Sequence, residues 1–191
     1  GEALRGIPLA QRRVLATATF RRLRDPAPLQ ARVAAHLGMP AEVLTGEEEA
    51  TLIWHGVAAW QPPGEALRCT LDVGGASTEL ALGSAAGLTR VLSLPLGSVT
   101  VSEAAGPASD RSARAEALVA KALAEAELSA FRVGPGACLA TGGSVLSAQA
   151  LAGADFGRWA AATTVFVLAI ESILLGMGGR HRQQRVKAHN R

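Results

Sequence analysis

The chain has 191 residues, of which 49% are apolar, so it can bury a sizeable core as one large domain or two small ones. Its formal net charge of +3 is mild for this length and does not by itself indicate a nucleic-acid binder. The N-terminus lacks the charged-then-apolar pattern of a secretory signal, so a cytoplasmic location is expected.

The first third of the chain alternates short strands with helices. The pattern predicts strands at 14–19 and 42–44, and helices at 28–37 and from 45 to about 60. Gly38 can cap the end of the first helix. Thr45 and Glu48 have the spacing of a capping box at the start of the second. Residues 61–64, Gln-Pro-Pro-Gly, break that helix and mark the best domain boundary in the chain.

Beyond this boundary the pattern predicts three strands, two helices, a fourth strand and further helices. The strands are predicted at 67–73, 78–82, 89–94 and 137–140, and the helices from near 97, over about 113–131, from near 144 and from 159. An order of three strands, helix, strand and helix is the repeat of the ribonuclease H-like fold of actin-type ATPases, an α/β fold.

The most apolar stretch, 159–177, is about as long as the minimum for a membrane span. Glu171 near its middle favours a helix buried against a sheet instead. The basic run at 180–187 contains no aromatic side chain that could stack on bases, so a solvated tail is favoured over a nucleic-acid patch. We therefore expect neither a membrane nor a nucleic acid as a partner.

Cys69 and Cys138 are the only cysteines, and each lies in an apolar strand just before a glycine-rich turn. Because cysteine is a good small core residue, buried free thiols are expected. A disulfide between them would need close Cα atoms. The four histidines are scattered and no Cys-x-x-Cys occurs, so a zinc site is not indicated.

Residues 72–80, Asp-Val-Gly-Gly-Ala-Ser-Thr-Glu-Leu, carry the strongest functional signal. Glycines let the backbone turn tightly between two apolar strands, and successive exposed N–H groups form a concavity that suits phosphate oxygens. Asp72 and Glu79 add carboxylates that could hold a hydrated Mg²⁺ against those oxygens. The segment predicts a phosphate clamp, with an ordinary glycine-turn hairpin as the alternative. It is not a P-loop, because no Gly-Lys-Ser/Thr follows.

Three further segments accompany the clamp: residues 16–21, Ala-Thr-Ala-Thr-Phe-Arg; residues 45–50, Thr-Gly-Glu-Glu-Glu-Ala; and residues 140–144, Ala-Thr-Gly-Gly-Ser. In their order and residue sequence, these four segments resemble motifs of the exopolyphosphatase/guanosine pentaphosphate phosphohydrolase family. That family carries Ala-Thr-x-Ala-x-Arg, Ser-Gly-x-Glu-Glu-Ala, Asp-Ile-Gly-Gly-Gly-Ser-Thr-Glu-Leu and Ala-Thr-Gly-Gly-Thr. The clamp departs from its motif only at Val73 and Ala76, and the resemblance covers nearly the whole chain.

The resemblance implies an Mg²⁺-dependent hydrolase acting on the terminal phosphoanhydride of inorganic polyphosphate or guanosine pentaphosphate. Glu49 matches the family's catalytic base; on residue chemistry alone, the glutamates at 47–49 would merely complement the helix dipole. Asp72 and Glu79 would bind Mg²⁺ or position water. For Arg21 a plain surface arginine cluster is the alternative. The residues implied in phosphate binding are Gly74, Gly75, Ser77, Thr78, Gly142, Gly143, Ser144 and Arg21.

The resemblance also implies the domain organisation. Residues 1–64 would be the C-terminal part of a first ribonuclease H-like subdomain, and 65–191 a complete second one. The family's first phosphate loop, Asp-x-Gly-Ser-Asn-Ser, has no counterpart here, so a truncated member with impaired activity is expected. The full-length form is expected to be a homodimer.

Two other functions stay open: a non-catalytic polyphosphate- or nucleotide-binding module, and a sugar-kinase-like ATPase. The phosphohydrolase hypothesis depends on one spatial expectation. The turns after Cys69 and Cys138 must converge on a common anion, with a carboxylate from the preceding subdomain facing it.

Overall fold

Strands and helices alternate along the part of the chain that this computed structural model describes, residues 4, 6–107, 109–133 and 137–145. In chain order the elements are β1 (Leu15–Ala16), α1 (Ala18–Arg21), α2 (Ala27–Leu37), β2 (Glu42–Val43), α3 (Gly46–Trp60), β3 (Arg68–Val73), β4 (Thr78–Ser84), β5 (Gly87–Leu94), α4 (Ser98–Ala105), α5 (Arg111–Glu125) and β6 (Cys138–Thr141). Short 3₁₀ turns lie at Leu9–Gln11 and Leu128–Phe131, and a further helical turn begins at Gly143.

The main sheet is mixed, with its strands in the order β5-β4-β3-β6. β3, β4 and β5 follow one another as antiparallel neighbours. β6 comes after α4 and α5 and pairs in parallel with β3. The strand order confirms the α/β architecture that the sequence predicts. Because β3 and β6 are parallel neighbours, their C-terminal ends lie side by side.

Alternation along β4 divides its side chains between two helical layers. Leu80 belongs to the main apolar cluster, which it shares with Val119 of α5. Glu79 and Gly83 lie on the opposite face, where Trp54 of α3 packs directly over Gly83. The carboxylate of Glu79 is therefore buried on the face of the sheet that α3 covers.

The strand predicted over 14–19 is shorter than expected. β1 and β2 form a separate parallel pair of two residues each, so the prediction is wrong beyond Ala16. The carbonyl of Thr17 accepts hydrogen bonds from the amides of Phe20 and Arg21 at 2.9 and 3.3 Å, and this turn starts α1. The β-branched threonines suggested a strand, but these local hydrogen bonds outweigh that preference.

The ends of α2 and α3 confirm the predicted caps. α2 ends at Gly38, which adopts a left-handed φ of 76°. α3 begins after Thr45, whose Oγ1 accepts from the Glu48 amide at 3.2 Å. In return, Glu48 Oε2 accepts from the Thr45 amide at 2.8 Å. This capping box fixes the first turn of α3, which carries Glu49.

The helix predicted over about 113–131 divides into two pieces. α5 ends at Glu125, and the 3₁₀ turn Leu128–Phe131 follows. Ala126 is extended, and its carbonyl accepts from the Leu128 amide at 2.8 Å. No glycine or proline marks this break in the sequence. The break lets Leu128 and Phe131, the two ends of the 3₁₀ turn, enter the core, where each residue is only 2% exposed.

Cys69 and Cys138 lie opposite each other in the parallel register of β3 and β6, and they do not form a disulfide with each other. The expected burial is confirmed for Cys69, whereas Cys138 is only partly buried. The neighbouring Cys138 thiol and burial raise the pKa of the Cys69 thiol. Cys69 is therefore protonated at neutral pH and acts as a small apolar core residue.

Within the described residues, none of the helices combines the length and the apolar character needed to cross a membrane. The predictions for 159–177 and for the basic run at 180–187 fall outside the residues that the structure describes.

Replacing Gly83 by alanine tests the packing of α3 on the sheet. A Cβ at Gly83 would lie 2.6 Å from Trp54 Cζ2 and 2.7 Å from the Gly87 carbonyl oxygen. We expect Gly83→Ala to lower the free energy of unfolding by about 1–3 kcal/mol, the usual cost of overpacking. Urea unfolding followed by tryptophan fluorescence measures it.

Gly56→Ala is the matched control, because Gly56 lies inside α3 and a Cβ there meets nothing within 4 Å. We expect this variant to gain roughly 0.5–1 kcal/mol from the better helix propensity of alanine. Equal stability of the two variants would contradict the observed packing.

Candidate functional site

Two glycine corners meet at the C-terminal ends of β3 and β6. The first corner is residues 74–77 after β3, and the second corner is residues 142–144 after β6. Asp72 and Thr141 are register partners just before them, and Thr141 Oγ1 donates to Asp72 Oδ1 at 2.6 Å. Ser144 Oγ of the second corner lies 3.5 Å from the Gly74 carbonyl oxygen of the first. The corners thus converge as the sequence predicts.

The second corner needs glycine at its first position. Gly142 has a φ of 97°, in the left-handed region. A Cβ there would lie 2.8 Å from both Asp72 Oδ1 and the Val73 carbonyl oxygen. Only a residue without a side chain lets β6 turn this closely beside the Asp72 carboxylate.

The first corner is held by the start of α4. The amides of Ser98 and Val99 donate to the carbonyls of Gly74 and Gly75 at 3.0 and 2.9 Å. Gly97 makes this approach possible, because a Cβ there would collide with the Gly75 backbone. In the described part of the chain, no hydrogen bond uses the amides of Gly75 and Ala76. Two successive amides are thus available to an anion.

Asp72 and Glu79 face each other across the β3–β4 pair. Glu79 is 2% exposed, and its Oε1 accepts from Ser93 Oγ at 2.9 Å. Its Oε2 is buried without a hydrogen-bond partner among the described residues. Burial raises the pKa of Glu79, the nearby charges of Glu49 and Asp72 add to this rise, and hydrogen bonds from Ser77 and Ser93 oppose it.

Glu49 lies on the first turn of α3 and forms an ion pair with Arg21. Arg21 Nη1 donates to Glu49 Oε2 at 2.9 Å and to the Leu44 carbonyl oxygen at 2.8 Å. Arg21 Nη2 lies 3.9 Å from Glu79 Oε1. The guanidinium therefore links the two glutamates, one from each side of the site. A contact between Arg21 and phosphate stays a prediction.

The hydroxyls of Ser77, in the first corner, and of Thr78, the first residue of β4, are less accessible than the motif suggests. Thr78 is fully buried, and its Oγ1 donates to the Leu96 carbonyl oxygen at 2.6 Å. Contact between Thr78 and a phosphate would require that bond to break. Ser77 is 5% exposed, but it borders a cavity of about 550 Å³ that Arg21 and Ser93 also line. This volume lies in the range of small-molecule pockets.

Ser93 and Gly46 belong to the site although sequence reasoning did not single them out. Ser93 of β5 binds Glu79, and Gly46 at the start of α3 packs against Ser93. The signal for Ser93 is its register position opposite Glu79, which is known only once β4 and β5 are paired. The signal for Gly46 was its place in the helix-start motif.

The Asp72–Glu79 pair fits a hydrated Mg²⁺. The described residues contain no group of three or more His, Cys, Asp or Glu side chains arranged for a metal ion. Mg²⁺ does not need one, because one or two carboxylates, water and substrate phosphates usually hold it. Glu79 Oε2 is buried and has no partner in the described part of the chain, so it is an acceptor that a cation or its bound water could satisfy.

The chain is similar to known proteins in sequence and in fold. A sequence model described as the Ppx/GppA phosphatase family matches residues 2–154. The fold is similar to that of the Aquifex aeolicus Ppx/GppA family member, with a TM-score of 0.60 and 19% identity over 86% of this chain and 67% of that one. An exopolyphosphatase from Cytophaga hutchinsonii gives a TM-score of 0.63 and 17% identity over 76% of this chain and 49% of its own.

The Aquifex aeolicus PPX-GPPA enzyme gives a TM-score of 0.56 and 26% identity over 73% of this chain and 46% of its own. This chain thus spans 67%, 49% and 46% of the lengths of the three relatives. The similarities confirm the ribonuclease H-like fold of actin-type ATPases. The division into 1–64 and 65–191 and the roles of individual site residues stay predictions.

The raised pKa of Glu79 predicts a pH-dependent loss of stability. Where the folded state binds the proton more tightly than the unfolded state, the free energy of unfolding falls as pH rises. For Glu79 this fall begins near the ordinary glutamate pKa of about 4.3 and ends above the raised folded value. Glu79→Gln cannot ionise, so its stability relative to the native protein should increase across this window and then become constant.

Urea unfolding between pH 4 and 8, without divalent cations, measures this difference. Glu116→Gln, on an exposed position of α5, is the control and should run parallel to the native protein. A parallel curve for Glu79→Gln would contradict the raised pKa.

Proposed function

Because the chain belongs to the Ppx/GppA phosphatase family, we propose that it hydrolyses the terminal phosphoanhydride of inorganic polyphosphate or guanosine pentaphosphate. The observation that carries this proposal is the convergence of the two glycine corners beside three carboxylates and one guanidinium. Phosphoryl transfer needs donors around the phosphoryl oxygens, a base for the attacking water and charge compensation. The residues of this site can supply each of these.

Glu49 is the proposed general base. Its Oε2 is held by Arg21 at 2.9 Å, while its Oε1 has no hydrogen bond within the described residues. A carboxylate oriented through one oxygen can accept a water proton through the other. The water oxygen then bonds to the terminal phosphorus, the bridging P–O bond breaks, and its electron pair leaves with the shortened substrate.

The glycine corners would bind the phosphoryl oxygens. The amides of Gly75 and Ala76 are available in the first corner, and the second corner lies beside them. Mg²⁺, bound through Asp72 and Glu79, would neutralise charge on the phosphoryl oxygens. Donors fixed before substrate arrives need no reorganisation during the reaction, which favours the transition state.

For the whole protein we propose Mg²⁺ as cofactor, a cytoplasmic location and a homodimer. The support for Mg²⁺ is the fit of the Asp72–Glu79 pair. Phosphate release measured with and without EDTA tests the cofactor, and light scattering tests the assembly.

Glu49→Gln tests the proposed base. The amide keeps the shape of the side chain but cannot accept a proton, so we expect phosphate release to fall by about 10²–10⁴-fold on both substrates, the usual contribution of general base catalysis. Inorganic phosphate released from polyphosphate and from guanosine pentaphosphate measures the effect.

Glu48→Gln is the matched control on the same helical turn. Glutamine can also complete a capping box at this position, so activity should stay near that of the native protein. Release that survives Glu49→Gln would contradict the proposed base. Polyphosphate binding without release by the native protein would favour the non-catalytic module, and ATP consumption coupled to an acceptor would favour the kinase-like alternative.

A further inference from the structure

Strand β5 comes close to the first turn of α3 where Ser93 faces Gly46. Gly46 is the first residue of α3, and a Cβ at that position would collide with both Cβ and Oγ of Ser93. Gly46 therefore lets the start of α3 approach β5 more closely than any other residue would allow. Glu49 lies on the same helical turn, three residues further on.

The hydroxyl of Ser93 also contacts the buried carboxylate of Glu79. Ser93 Oγ donates to Glu79 Oε1 at 2.9 Å, and Arg21 Nη2 lies 3.9 Å from the same oxygen. Arg21 Nη1 donates to Glu49 Oε2 at 2.9 Å. A continuous path of side chains thus runs from Ser93 through Glu79 and Arg21 to Glu49.

We propose that Ser93 is a positioning residue for the reaction, in addition to the residues that the family motifs indicate. Its hydroxyl holds Glu79 and its Cβ supports Gly46. Together these contacts fix the first turn of α3 and orient the Glu49 carboxylate. The reaction that Ser93 serves is the proposed one, so this inference rests on the proposed function.

Glu49 and Glu79 compete for the guanidinium of Arg21. Among the described residues, Glu79 Oε2 has no hydrogen-bond partner, while Oε1 accepts from Ser93 Oγ at 2.9 Å. Without the Ser93 hydroxyl, Oε1 of this buried carboxylate would lose the bond that Ser93 donates, and such a loss is costly unless another donor replaces it. In the described part of the chain, the cationic group that pairs with Glu79 is the Arg21 guanidinium at 3.9 Å, and its movement toward Glu79 would release Glu49.

Ser93→Ala tests this role by kinetics. We expect kcat to fall about tenfold, because a misplaced base slows the chemical step, with KM unchanged within about twofold. Ser93→Thr keeps the hydroxyl and should recover most of the lost kcat. Thr89→Ala, which removes an exposed hydroxyl from the same strand, is the control and should behave as the native protein. Equal activity of Ser93→Ala and the native protein would overturn the proposal.

Amide hydrogen exchange provides a readout that does not depend on turnover. The amides of Glu48 and Glu49 are bound by Thr45 in the first turn of α3. In Ser93→Ala we expect these two amides to exchange several-fold faster, while those of α5 stay unchanged. Uniform acceleration along the chain would indicate a general structural defect and overturn the positioning role.

Gly46→Ala is an independent variant of the same contact. Its Cβ would push α3 away from Ser93, so it should accelerate the same two amides and lower kcat. Native exchange and native kcat in Gly46→Ala would contradict the proposal. If the native protein releases no phosphate, the proposed function fails, and the exchange data still decide whether Ser93 fixes the first turn of α3.

Discussion

The guanidinium of Arg21 is the interaction on which the geometry of the site depends. Burial raises the pKa of Glu79 of β4, and the nearby charge of Glu49 of α3 adds to this rise. A planar guanidinium can serve both, because its donors form a rigid fork. It bonds to Glu49 at 2.9 Å and lies 3.9 Å from Glu79. Arg21 is the last residue of the short helix α1, which places its guanidinium beside both glutamates.

Local signals in the sequence predicted the features that depend on neighbouring residues. The capping box of Thr45 and Glu48 and the left-handed Gly38 follow from side-chain chemistry within a few positions, and the structure confirms both. The sequence also predicted the glycine corners, because only a few residue types can form such close backbone turns. Where the local signal was weak, as at Ala126, the helix boundary was wrong, since burial of the following 3₁₀ turn decided it.

The partners within the site could not be predicted in this way, because they are distant in sequence. The bond from Thr141 to Asp72 joins residues 69 positions apart, and the ion pair of Arg21 with Glu49 joins residues 28 apart. Family motifs indicated that these segments act together but not how their side chains connect. Ser93 shows the limit most clearly, since its role depends entirely on the register between β4 and β5.

The docking of α4 on the first corner has a consequence for how that corner meets an anion. In a planar trans peptide the carbonyl and the following N–H point in opposite directions. The carbonyls of Gly74 and Gly75 are directed at the amides of α4, so the N–H groups of Gly75 and Ala76 must be directed away from that helix. By binding the two carbonyls, the helix therefore fixes the direction of two N–H groups with which it forms no hydrogen bond among the described residues.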